Sequence, residues 1–432
     1  MIHQASTRLL ATLKEHRPPR AISALTVSTI VTMAVPVFCT PFIADLYSPA
    51  QLGTFATFGA IVSAIVLVAS MRLEQAVPLP KRPRDASVLI SIAFVSGWCM
   101  SLVALVVVVL FGSPIALYLG DPDLEPLLWF VPISAILGTT TQCLSMWLIR
   151  QADFVALART RGGQSVGTAI FQIGCGTLKF SAGMVAGSLL GQAQTTFLSL
   201  RAVLKHPRSL PRRFPRMRSI AMVLRKYSDF PTYSLFEAFV GQLQAPLLVI
   251  SVTKLFSPTA CGLLLLGQRL SLTPAALITQ ATGPIMMQRM AVTASDATEV
   301  RRIMLRTWAR MAIYILPLYA ALFFMLHLGI PFLFGEQWLG VLSVVDRFAP
   351  LCAVQLIFAP TTSAAVVLRK QHLSLLWAVA ALGSKLLGLW LSTTHDYLWL
   401  ISWFVTTDIL SLVSFNLVLA QLAGARPSIG EA

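Results

Sequence analysis

Long apolar runs broken by short polar segments dominate the chain. A helix needs ~20 apolar residues to cross the hydrocarbon of a bilayer. Stretches of that kind lie near 21–43, 52–70, 87–110, 126–148, 163–180, 182–204, 231–253, 259–281, 311–334, 344–368, 372–391 and 398–420. They predict an all-α integral membrane fold of about 12 transmembrane helices. The fifth stretch is the weakest, being Gly-rich and ending in Lys179. It almost touches the sixth, so the turn between them must be tight. The longest polar segment, 205–230, divides the spans into two sets of six. The expected organisation is an N-terminal segment 1–20, a six-helix bundle 21–204, a basic linker 205–230, a second six-helix bundle 231–420 and a tail 421–432.

Composition agrees with this pattern. Of 432 residues, 56% are hydrophobic and 12% charged, whereas a soluble domain carries roughly 25% charged residues. So few charges cannot cover a water-facing surface of this size, but a bilayer solvates apolar surface. The net charge of +16 then needs a reading other than nucleic-acid binding, and the loops supply it. With the N-terminus inside, all but five of the 33 lysines and arginines fall on the predicted inner side. The five are Lys179, Lys254, Arg269, Arg347 and Lys385. The predicted outer loops carry acids instead: Asp45, Asp121, Asp123, Glu125, Glu336 and Asp396. This is the positive-inside pattern, and it predicts cytoplasmic N- and C-termini and an even number of spans. The basic linker is read as a topology determinant attracted to anionic membrane lipids, with no nucleic acid as partner. The repeated Leu-Phe-Gly at 110–112 and 333–335, in corresponding positions of the two halves, is a faint internal-repeat signal.

No soluble catalytic apparatus is legible. There is no Gly-rich loop followed by Lys-Ser/Thr, no GxSxG and no HExxH. The six cysteines lie in apolar runs without metal-ligand spacing, and the six histidines are scattered. The expectation is a transporter, not an enzyme, with no cofactor and no metal. Charges inside apolar spans carry the most information, because they are costly and usually face a cavity or a partner. Four stand out: Glu237, Arg269, Lys385 and Asp408. Lys385 and Asp408 fall roughly 10 and 15 Å below the outer ends of consecutive spans, an offset a lysine side chain can bridge. They are expected to pair, either to order the bundle or as a protonation- or ion-sensitive gate. Arg269 falls roughly 15 Å from the outer face, and its guanidinium fork suits a diphosphate. Glu237 and Asp408 are the acids available for H+ or Na+ coupling. Pro36, Pro41, Pro246 and Pro274 interrupt spans, and each removes a backbone hydrogen bond and bends its helix.

Several local motifs carry a family resemblance. LYSPAQLGTFATF (46–58) and SMRLEQAVPLP (70–80) resemble the N-terminal region of Wzx-type flippases of O-antigen and exopolysaccharide. Arg72, Glu74, Ala76, Leu79 and Pro80 match that family's motif after the second span, while Leu73 replaces its usual aromatic. FPTYSLFEAF (230–239), Gln244, Pro246, Gly262, LLGQRLSLTP (265–274) and PFLFGEQW (331–338) are similar to later family motifs. The resemblance implies a MATE-like pair of six-helix bundles working by alternating access. It implies an undecaprenyl-diphosphate-linked oligosaccharide as cargo, with polysaccharide polymerase machinery as a further partner in the bacterial inner membrane. Carried over, Arg269 with Gln268 takes one substrate-binding position and Arg72 with Glu74 another. Arg72 and Glu74, two residues apart, would not face each other on a helix, so a lock at the membrane edge is an equal reading for them. Rival readings are a MATE-like exporter of small molecules or of a peptidoglycan precursor, and a membrane-embedded polysaccharide polymerase or ligase. The short acidic outer loop near 111–125 argues against the last.

Overall fold

The computed structural model describes residues 28, 31–32, 34–80, 82–180, 182–205, 217–227, 235–293, 297–368, 370–392 and 395–424. The segment 1–20, the linker residues 206–216 and 228–230, and the tail beyond Gly424 lie outside them. The described residues are helical, and helix occupies part of every expected span. We label α1 Thr40–Leu46, α2 Pro49–Ala69, α3 Pro83–Leu119, α4 Val131–Arg150, α5 Phe154–Thr177, α6 Gly183–Leu204, α7 Met217–Lys226 and α8 Leu235–Gln242. There follow α9 Gln244–Leu255, α10 Pro258–Val292, α11 Ala297–Arg310, α12 Leu316–Phe334, α13 Gly340–Phe358, α14 Gln371–Leu391 and α15 Tyr397–Gly424. Among the described residues seven helices are long and apolar enough to cross a membrane, or up to nine if each of two bent pairs is one span. The protein is therefore a multi-pass membrane protein. Its α3 shows the solvent expected of one: Trp98, Leu102, Val106 and Leu110 point outward, exposed, where lipid tails replace water.

The hydropathy pattern understates several helices. It ends one span at 281 and starts the next at 311, yet α10 runs on to Val292 and α11 starts at Ala297. A helix satisfies its own backbone in lipid and in water alike, so hydropathy marks only its apolar part. The linker likewise contains a helix, α7, where its polar, basic composition predicts a loop. Its Val223 is buried and its Ile220 and Leu224 pack on the core of the N-terminal unit, with Lys226 3.5 Å from Asp85.

The fifth helix exists, and its glycines explain why it looked weak. Asp153 caps α5, its carboxylate accepting from the Ala156 amide at 2.9 Å. Lys179 ends it in the left-handed region at φ 53°. The Lys179 amide donates to the Gly176 carbonyl and that of Phe180 to the Cys175 carbonyl, the paired bonds of a Schellman stop. This makes the tight turn into α6. A Cβ on Gly187 would stand 2.6 Å from Gln172, and one on Gly191 2.1 Å from Thr168. Small residues let antiparallel helices approach this closely in a membrane.

The chain forms two compact units. One holds the described residues up to Leu46, Phe58–Tyr118 and Pro122–Phe239; the other holds Tyr47–Thr57, Leu119–Asp121 and Val240 onward. The division expected at the linker thus differs in detail: 47–57 join the C-terminal unit, and 235–239 stay with the N-terminal one. Buried Leu73, Val77, Leu89, Ile90, Cys143 and Leu148 centre the first unit. Leu248, Val252, Leu264, Val344, Cys352 and Ile401 centre the second.

The prolines act unequally. Between Pro36 and Pro41 the helix breaks at Cys39, where the Thr40 hydroxyl donates to the Pro36 carbonyl at 2.6 Å. Three residues before Pro246, α8 and α9 meet at a 41° bend, as a ring without an amide hydrogen requires. Pro274 sits inside α10, which continues past it.

Candidate functional site

The C-terminal unit contains an open cavity of about 500 Å³. Its walls come from the end of α8 and from α9, α10, α13, α14 and α15. Lys385 on α14 and Asp408 on α15 meet there, Nζ to Oδ1, at 2.5 Å, so the two charges expected to pair do so. The neighbouring helices are locked in register beside them. The Trp403 indole donates to the Ser384 carbonyl at 2.9 Å and lies against Gly388, where a Cβ would stand 2.2 Å from the ring. The Ser384 and Thr407 hydroxyls share a hydrogen bond of 3.0 Å.

The ammonium is only 3% exposed, and its surroundings are built for it. Nζ also donates to the Gln244 Oε1 at 2.6 Å and lies 5.4 Å from the Phe404 ring centre, a cation–π distance. Gln244 is itself held, its amide nitrogen donating to the Val240 carbonyl at 3.2 Å and the Ala378 carbonyl at 3.4 Å. Such full satisfaction is what keeps a buried charge tolerable. Asp408 differs: its side chain is 37% exposed and lines the cavity. Gln268 lines it too, with Gln355, Ser411, Trp377 and Phe348.

This arrangement invites comparison with known proteins. Residues 23–343 match the model of a family described as polysaccharide biosynthesis protein. The chain belongs to that family. No curated protein sequence matches it. Among solved structures it resembles an inward-facing multidrug resistance transporter of the MATE family, in the MOP superfamily, at 12% identity. That match covers 94% of this chain and 98% of the other, with a TM-score of 0.68. It resembles the lipid II flippase MurJ in an inward closed conformation at 12% identity, covering 94% and 91%, with a TM-score of 0.67. A Vibrio cholerae MATE transporter matches at 16% identity, covering 97% and 98%, with a TM-score of 0.58. These likenesses establish a MATE- and MurJ-like fold, and the three proteins named are transporters and a flippase.

In this polysaccharide biosynthesis protein the remaining expected site residues are dispersed. Arg269, half-buried on α10, follows Gln268 but does not line the cavity. Glu237 is exposed in the first turn of α8, where the helix dipole favours an acid. Arg72 and Glu74 belong to the N-terminal unit. Arg72 has a left-handed backbone at φ 59°, and with the Gln75 amide turned to accept, its guanidinium donates to Gln75 at 3.0 and 3.1 Å. Gln355, Ser411 and Trp377 line the cavity without carrying the charge that marks a site residue within an apolar span. Uncharged polar residues within apolar runs were the readable signal for the first two.

Glu74 is wholly buried, accepting from the Gln142 amide at 3.1 Å. In the same unit Arg150 donates to the carbonyls of Val77 at 3.1 Å and Pro80 at 2.8 Å, pinning the turn after α2. Burial raises the Glu74 carboxyl above its ordinary range, with Ser70 and Arg72 opposing. The folded state then holds this proton more tightly than the unfolded chain, so stability falls as pH rises from the ordinary carboxyl range through the raised folded value. Each unit of such a shift is worth ~1.4 kcal/mol. Glu74→Gln should remove that decline. Thermal unfolding of the full chain in detergent, from acid to neutral pH, checks this: parallel profiles for wild type and variant would refute it.

Proposed function

We propose that this protein is a flippase for an undecaprenyl-diphosphate-linked oligosaccharide. It would carry the repeat unit across the bacterial inner membrane by alternating access, for surface polysaccharide biosynthesis. The observation that carries the reading is the cavity of the C-terminal unit, where amides, a hydroxyl, an ion pair and aromatic rings converge within an apolar bundle. Most of the wall is apolar, and the amides of Gln244, Gln268 and Gln355, the serines and the ion pair interrupt it with donors and acceptors that a hydroxyl-rich cargo can use. Family membership and the flippase fold support it. We assign the diphosphate to Arg269 or to Arg72, and H+ or Na+ coupling to Asp408 or Glu237. Anionic lipids and polysaccharide polymerase machinery complete the expected partners.

The test is a deletion strain. Lipid-linked repeat unit should accumulate in the cytoplasmic leaflet and clear when the wild-type chain is restored. Arg269→Ala should cut surface polysaccharide at least tenfold, the effect of losing ~1.4 kcal/mol or more. Arg269→Lys should rescue only part, because a point charge lacks the fork. If no repeat unit accumulates, the reading is wrong; if lipid II accumulates instead, the likeness to MurJ extends to cargo.

A further inference from the structure

The cavity of the C-terminal unit also says which part of such a cargo it would take. Charge is the first indication. Lys385 is the only cation among its lining residues, and its three directions are spent on Asp408, Gln244 and the Phe404 ring. Among the described lining residues no positive donor is left for an incoming anion. The charge that does face the cavity is negative: Asp408 uses Oδ1 on Lys385, and Oδ2 has no partner among the described residues. A diphosphate or a uronate placed here would meet a carboxylate and no free cation, at the raised Coulomb strength of a bundle interior.

Hydrogen bonding is the second indication. The side-chain amides of Gln268 on α10 and Gln355 on α13 line the cavity, and neither makes a hydrogen bond among the described residues. Nor does the Ser411 hydroxyl on α15. Each glutamine offers two donors and an acceptor, and all of this capacity is open to a ligand. The third indication is a fixed ring. The Trp377 indole nitrogen donates to the Ser414 hydroxyl at 2.8 Å, and its ring packs against Phe415 at 5.9 Å between centres. A preoriented indole wall beside neutral donors and acceptors suits a pyranose, with apolar C–H faces and hydroxyl edges. From these three features we infer that this cavity is a subsite for uncharged sugar residues, read by Gln268, Gln355, Ser411 and Trp377, and that it rejects acidic sugars and the diphosphate. The inference rests on the flippase reading for its biological cargo but not for its binding chemistry.

The test uses the purified full chain in nanodiscs and its tryptophan fluorescence or binding heat. The probes are gluco-, galacto- and manno-configured trisaccharides, the uronate counterpart of each, and inorganic pyrophosphate. At least one neutral probe should bind in the millimolar range typical of short free glycans, with its uronate counterpart at least tenfold weaker. Gln355→Leu, which keeps the packing volume, and Trp377→Ala should each weaken the neutral probe at least tenfold. Asp408→Asn should narrow the gap between neutral and uronate probes. The inference is overturned if no neutral probe binds, if uronate or pyrophosphate binds as well as the neutral sugar, or if both wall variants bind normally. Failure of the deletion-strain test with binding intact would remove the flippase role and leave the subsite standing; the reverse outcome would remove only the subsite.

Discussion

Asp408→Ala is expected to abolish surface polysaccharide export and to lower the melting temperature of the full chain. The reason is the Lys385 ammonium, buried to 3% exposure with Asp408 as its sole acidic partner among the described residues. Removing one member of a buried pair typically costs about 3–5 kcal/mol, because the survivor is left without a counter-charge. Asp408 itself is partly open to the cavity, which places the cost near the lower end. The unfolding entropy grows with length, so for a 432-residue chain at about 1 °C per kcal/mol a loss of ~3 kcal/mol is roughly 3 °C. The double variant Lys385→Met with Asp408→Leu separates stability from function. It should recover most of the melting temperature, since well-packed apolar residues often replace a buried pair without loss, yet it should not recover export. A single Asp408→Ala variant as stable and as active as wild type would show that the pair is neither structural nor functional.

A second large effect is expected at a backbone crossing within the C-terminal unit. Gly53, in the first turns of α2, faces the start of α10: a Cβ there would stand 1.7 Å from the Pro258 carbonyl oxygen. Gly262 on α10 returns the contact, its Cβ position 1.8 Å from the Pro49 carbonyl oxygen. The two sites are reciprocal, and so is their sequence. Ser48-Pro49 precedes Gly53 as Ser257-Pro258 precedes Gly262. This is a clearer internal repeat than the Leu-Phe-Gly pair, and its geometry explains why both positions are glycine. One turn further on, the Thr57 and Thr253 hydroxyls meet at 2.6 Å. Gly53→Ala or Gly262→Ala must push two backbones apart, and overpacking costs about 1–3 kcal/mol even where side chains can adjust. Here the obstacle is backbone, so folded yield in membranes should fall several-fold for either variant. Gly283→Ala on the same helix is the control, because a Cβ there meets nothing within 4 Å. Equal yields for all three would disprove the crossing.

Much of this protein was legible in its sequence. Apolar run length determined an all-α membrane fold, since a bilayer allows few other spanning structures. The cost of a charge in hydrocarbon marked Lys385 and Asp408 as partners, and the structure joins them. What the sequence could not determine depends on rotation about helix axes and on distant contacts. Gln268 and Arg269 are adjacent, but about 100° apart around a helix of 3.6 residues per turn; only Gln268 lines the cavity. Hydropathy cannot distinguish a glycine that weakens a helix from one that admits a neighbour, and only the packing of α5 on α6 shows which these are. Nor could it show that Lys385 is already satisfied by Gln244, 141 positions away. Sequence determined which groups must be hidden from lipid; tertiary structure decided which of them remain open to a ligand.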